Sequence, residues 1–84
     1  MTNITHARQI ESFVVDLPFS DGSVGEYDLG PIVRRDTVLT RPLADMKFFR
    51  SFFLELGALA WTNGFELSDD ALHKELEDQG ALRS

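Results

Sequence analysis

Few side chains in this 84-residue chain are of types that could do chemistry, and their spacing argues against most of it. His73 stands at helical spacing from Asp69, Asp70 and Glu77, which is how a metal site or an acid–base pair would begin. One histidine among scattered carboxylates has no ligand signature, however. Polar i, i+4 contacts on a solvated amphipathic helix account for the same residues. Asp21, in Ser20-Asp21-Gly22-Ser23, and Asp28 could be read as paired carboxylates, but turn bonding and strand-end solvation suit them better. Ser20 and Ser23 have no base in a pattern that would activate them. Gly22, Gly25 and Gly30 do not make a phosphate loop that opens a helix. The chain has no cysteine, hence no thiolate ligand and no disulfide, which fits a reducing compartment. The expectation is a protein with no catalytic residue, no metal and no cofactor.

Charge is more informative. The formal net charge is −6, and it is unevenly placed. Arg8 stands alone against Glu11, Asp16, Asp21, Glu26 and Asp28 in the first third. Arg34, Arg35, Arg41, Lys47 and Arg50 outnumber Asp36 and Asp45 in the middle. Lys74 stands alone against Glu66, Asp69, Asp70, Glu75, Glu77 and Asp78 near the end. Phosphate binding needs a cationic footprint, so nucleic acid is not expected as a direct partner. The basic middle reads as a solvated loop and helix face that offsets nearby acids. The acids read at least as an ordinary soluble surface.

A sharper reading makes Glu66, Asp69, Asp70, Glu75, Glu77 and Asp78, with the hairpin acids Asp21, Glu26 and Asp28, a binding face. Its partner would be a protein with a basic surface, one that normally holds nucleic acid. Small acidic inhibitors of nucleic-acid-handling complexes, anti-CRISPR proteins and nucleic-acid mimics among them, have this size and charge. The alternative is an antitoxin-like or regulatory domain that binds through its aromatics or a sheet edge. Phe48-Phe49 and Phe52-Phe53 are adjacent pairs, and adjacent residues face different directions, so not all four point inward. Either reading allows a monomer or a homodimer.

The elements that must position these residues centre on residues 52–76. Leu59 and Trp61 alternate with Ala58, Ala60 and Thr62 as in a strand. Asn63-Gly64 then marks a turn. Ser68 suits an N-cap, and Asp69 and Asp70 suit the positive end of the helix dipole. Leu67 and Leu72 can form a hydrophobic staple, Leu72 and Leu76 share a face, and Gly80 can stop the helix.

Upstream, residues 10–17 read as one strand and residues 23–29 as the strand returning from the Asp21-Gly22 turn, with Gly25 as a bulge. Pro42 suits the start of a helix. Beyond it, two readings stay open. One helix runs from about Pro42 to Leu56, or the helix ends near Phe49 and residues 50–55 form a strand that turns at Leu56-Gly57. No repeats are apparent. The fold class expected is α+β: a small antiparallel sheet of about four strands, a short or medium central helix and a C-terminal helix. Residues 1–84 read as a single domain, with 1–9 a loose arm and 81–84 a tail. The first residues lack the apolar core of a signal peptide, and no apolar run approaches ~18 residues, so a soluble cytoplasmic protein without a membrane partner is expected.

The chain also resembles the bacterial family called domain of unknown function 2442. The resemblance rests on Phe19-Ser20-Asp21-Gly22, on Tyr27-Asp28-Leu29, and on Leu43-Ala44-Asp45 followed by Phe48 and Phe49. Leu59-Ala60-Trp61-Thr62-Asn63-Gly64, Glu66-Leu67 and Leu72-His73 complete it. It covers about residues 10–75, with Thr62 where the family has Pro, Glu66 where it has Asp and His73 where it has Tyr. The resemblance implies an α+β fold with a four-stranded antiparallel sheet, and no established activity.

Overall fold

The computed structural model describes residues 2–84. Among these, six strands form two three-stranded antiparallel sheets, β1-β2-β3 and β4-β5-β6. The first sheet contains β1 (Arg8–Glu11), β2 (Val14–Pro18) and β3 (Val24–Asp28). The second contains β4 (Phe53–Glu55), β5 (Ala58–Ala60) and β6 (Glu66–Ser68). Short helices α1 (Gly30–Val33) and α2 (Met46–Phe49) lie between the sheets in sequence, and α3 (Asp69–Asp78) follows β6. The chain is therefore α+β, as its patterning requires, but with two small sheets in place of one sheet of about four strands.

The extra strands have identifiable causes. Residues 10–17 do not form one strand. The chain reverses at Ser12, which adopts a left-handed φ of 46°, and Glu11 then pairs with Val14. Phe13 leaves the strand to pack edge-on against Phe49, with ring centroids 5.1 Å apart. No Gly, Pro or Asn marks this turn, so the period of two runs through it unbroken. In the middle of the chain, the strand reading of residues 50–57 is the one that forms, though the strand covers only Phe53–Glu55 and residues 50–52 stay outside it. A 3-10 turn, Arg41–Ala44, ends at Asp45, whose extended backbone and side chain cap α2 by accepting from Lys47 N at 3.0 Å. The helix stops after one turn. β4 then turns at Leu56-Gly57, with Gly57 at φ 76°, and pairs Leu54 with Leu59.

Residues 3–5 and Arg83 are docked, which corrects the expected loose arm and tail; Met1 lies outside the described residues. Ile4 is buried and bridges to Phe19, while Ser20 N donates to Asn3 O and Thr5 N to Pro18 O. Val24 and Arg83 exchange both backbone hydrogen bonds, so the C-terminal residues extend the free edge of β3.

The core is one cluster in which Val15, Leu17, Leu29, Leu43, Phe49, Leu59, Trp61, Leu72 and Leu76 are essentially inaccessible. Trp61 sits at the centre of its aromatic part. Its ring lies about 6 Å from Phe49, Phe52 and Phe65, and its Nε1 donates to Phe49 O at 2.9 Å. Phe48 and Phe52 are half-buried and Phe53 is exposed, so the two Phe pairs do divide between core and surface.

α3 follows its local signals closely. Ser68 Oγ accepts from Ala71 N at 3.0 Å as N-cap. Gly80 at φ 66° closes the helix, with Ala81 N donating to Leu76 O and Gly80 N to Glu77 O, the paired bonds of a Schellman stop. Leu72 and Leu76 are buried in the core, and Leu76 lies against Gly25 of β3. Gly25 is no bulge: the β2–β3 register is regular. It is glycine because a Cβ there would lie 2.6 Å from Leu76 Cδ1.

Candidate protein-binding cleft

The nine acids expected to form one face are distributed by the fold among several roles. Asp69 is buried, at 5% exposure, so it presents no charge to the outer surface. Asp21 Oδ1 accepts from Ser23 Oγ at 2.6 Å and Ser23 N at 2.9 Å, and its Oδ2 lies 2.9 Å from His73 Nε2. The Ser23 hydroxyl and amide, and then His73, lower the Asp21 pKa from 3.8 to about 2. His73 thus turns away from the acids of its own helix. It faces the first hairpin, edge-on to Phe19 at 4.9 Å.

Glu75 Oε2 accepts from the Tyr27 hydroxyl at 2.7 Å. Burial, and then that carboxylate, push the Tyr27 pKa from 10.0 up to about 12. Asp28 accepts from Gly30 N at the start of α1. Glu26 lies directly across from Asp16, a like-charge pair that Arg83 bridges loosely at 3.9 and 3.7 Å. Asp78 pairs with Lys74 at 3.5 Å. Glu66, Asp70 and Glu77 are exposed and have no ion-pair partner among the described residues. Glu26, Asp28 and Glu75 do converge, around a groove shared with Tyr27 and Arg35. No group of three or more histidine or acidic side chains able to hold a metal ion occurs among the described residues.

A different site emerges at the edge of the second sheet. Every residue of β4 is exposed, and Phe53, Leu54 and the following Leu56 are apolar, at 40%, 39% and 103%. β4 pairs with β5 on one side, and its residues take no other backbone bond among the described residues. The other edges are less apolar. β1 (RQIE) carries one exposed apolar residue, Ile10, among polar and charged ones, β3 is extended at Val24 by Arg83, and β6 (ELS) is largely polar and runs into α3.

Two adjoining clefts lie between β4 and the docked N-terminal segment. One, of about 300 Å³, is lined by His6, Ala7, Phe52, Phe53 and Leu54. The other, of about 270 Å³, is walled by Asn3, Ile4, Leu54, Leu56 and Ala58, with Glu55 and Asp69 as its carboxylates.

Asp69 in the second cleft is held firmly. Its N–H donates to Gly57 O at 2.9 Å, and its Oδ2 accepts from Ile4 N at 3.1 Å. Its Oδ1 is buried without a hydrogen-bond partner among the described residues.

Sequence reasoning named Asp69 but placed it on the surface. It missed Asn3 and Ile4 entirely, because nothing local says that the N-terminal segment docks there. Phe53 on one face of the strand and Leu54 and Leu56 on the other are the available signal, since apolar residues on both faces of a short strand leave some uncovered. Compared with family models, curated proteins and solved structures, the chain finds no match. No helix among the described residues is long and apolar enough to cross a membrane.

Proposed function

We propose that this protein is a non-enzymatic binding module that takes an extended, basic segment of a protein partner along β4. A free strand edge offers backbone hydrogen bonds to such a segment, and the clefts beside it offer sites for alternate side chains. The single observation that carries the reading is the uncovered apolar edge of residues 53–56, where three large apolar side chains are exposed against one, Ile10, on β1. The two hairpin motifs that link the chain to the domain of unknown function 2442 family support a distant relationship to it, and that relationship is part of the proposal.

The acidic surface has a second role in this reading. Glu66, Asp70 and Glu77 are exposed and unpaired, and the chain carries −6 overall, so a basic partner is drawn in and a nucleic acid repelled. A partner whose basic surface normally holds nucleic acid would be blocked as it binds. The experiment is a comparison of two variants against a partner captured from the native host. Leu54→Lys with Leu56→Lys is expected to raise Kd by at least about a hundredfold, as for loss of a hot spot. Reversing charge at Glu66, Asp70 and Glu77 is expected to slow association and flatten its salt dependence, with a smaller change in Kd. If the charge-reversed variant loses binding and the β4 variant keeps it, the acidic face is the site and the edge is not.

A further inference from the structure

The buried carboxylate at the cleft beside β4 has an oxygen with nothing to accept from. A buried acceptor left unpaired is costly, and a charged one more so, so its retention calls for an explanation. We infer that this cleft receives a primary ammonium group, the head of a lysine side chain on the extended partner segment. The inference rests on the edge reading above and adds the chemistry of one partner side chain.

Four observations converge on an ammonium. Asp69 is 5% exposed and its Oδ1 has no partner among the described residues, while Oδ2 is already committed to Ile4 N at 3.1 Å. A guanidinium fork is matched best by both oxygens of a carboxylate, whereas an ammonium is a point charge that one oxygen satisfies. The remaining ammonium hydrogens have acceptors to meet, since Glu55 and Asn3 line the same cleft. Ile4, Leu54, Leu56 and Ala58 supply the apolar walls along which a four-carbon stem packs. The cleft measures about 270 Å³, just below the roughly 300 Å³ at which drug-sized ligand sites begin, and so suits one side chain.

The helix dipole opposes a cation at the start of α3, but only in part. Asp69 and Asp70 bring two carboxylates to a terminus worth about half a positive charge. Leu54 and Glu55 belong both to β4 and to the cleft wall, so a strand laid along that edge can place a side chain there.

The test uses the isotopically labelled full chain titrated with n-butylammonium, n-butylguanidinium and 1-butanol, followed by amide resonances. The ammonium probe is expected to perturb Ile4, Gly57 and Ala58 saturably, and to bind at least about tenfold more tightly than the alcohol, a difference of about 1.4 kcal/mol. The guanidinium is expected to fall between them. Asp69→Asn is expected to bring the ammonium down to the level of the alcohol. Equal binding of ammonium and alcohol, or no response at these three amides, overturns the inference, and needs no variant should Asp69→Asn fail to fold. If the amine response is absent while β4 substitutions still abolish partner binding, only this inference fails. If the response is present while β4 substitutions leave the partner unaffected, the edge reading fails and the ammonium site stands.

Discussion

The two central hairpins of this protein close with the same turn and use it differently. In residues 19–23 an aromatic residue is followed by Ser20, Asp21 and Gly22; in residues 61–65 an aromatic residue is followed by Thr62, Asn63 and Gly64. Phe19 N donates to Ser23 O and Gly22 N to Phe19 O; Trp61 N donates to Phe65 O and Gly64 N to Trp61 O. Asp21 Oδ1 accepts from Ser23 N, and Asn63 Oδ1 from Phe65 N. Both glycines stand near φ 90°. Even the strand register corresponds, with Leu17 opposite Gly25 and Leu59 opposite Leu67.

The differences lie in what surrounds each turn. Gly25 admits Leu76 and so lets α3 close on the first sheet, and the spare oxygen of Asp21 faces His73 on the same helix. Leu67 fills the corresponding place in the second sheet, and the spare amide of Asn63 donates to Leu39 O in the preceding loop. The first sheet is extended by bridges from Ile4 and Arg83. The second keeps a bare apolar edge. The same turn stands in two different surroundings, and the second sheet is the one left with an open apolar edge.

The largest expected effect separates the two aromatic positions. Trp61→Ala removes the centre of the aromatic cluster and should cost about 3–5 kcal/mol, enough to leave so small a domain largely unfolded. Phe19→Ala should cost less, because the buried Phe19 has one aromatic neighbour, His73, where Trp61 has three. Equal losses in chemical denaturation would mean that the two hairpins share the core evenly.

Next is Gly25→Ala, expected to cost about 1–3 kcal/mol through overpacking against Leu76. In a double-mutant cycle with Leu76→Ala, much of that cost should vanish. Additive losses would show that the glycine matters for its backbone and not for α3.

Gly22→Ala and Gly64→Ala form a matched pair. Neither Cβ would meet another atom, so each change should cost only backbone strain, about 1–3 kcal/mol and nearly the same for both. A clear inequality in melting temperature would break the correspondence of the turns.

The smallest effect is electrostatic. The Asp21 pKa is lowered, so its contribution is complete above about pH 4 and is lost as pH falls towards about 2. Asp21→Asn should flatten that part of the stability profile, and Asn63→Ala should leave its shape unchanged.

Legibility in the sequence followed the range of the interactions. The Asn-Gly and Asp-Gly turns, the Ser68 cap and the Gly80 stop are local hydrogen-bond chemistry, and each stands where its residues point. The break at Ser12 carries no turn residue and depends on Phe13 finding Phe49. The choice between helix and strand for residues 50–57 depends on β5 as a partner. The repeated turn is two short matches in dissimilar surroundings, which is why no repeat was apparent. At the candidate site, the acids were legible as charges but not as roles. Asp69 reads as a helix-start acid by position, and only the docking of Ile4 and the β4–β5 turn over it makes it a buried one.

The central claim is that β4 is where a partner binds, and amide hydrogen exchange across residues 53–56 tests it most directly. With the captured partner bound, these amides should exchange at least about tenfold more slowly than in the free protein, while the exposed side of α3 is little changed. Protection confined to α3 and the first hairpin, with β4 exchanging as it does alone, would contradict the account.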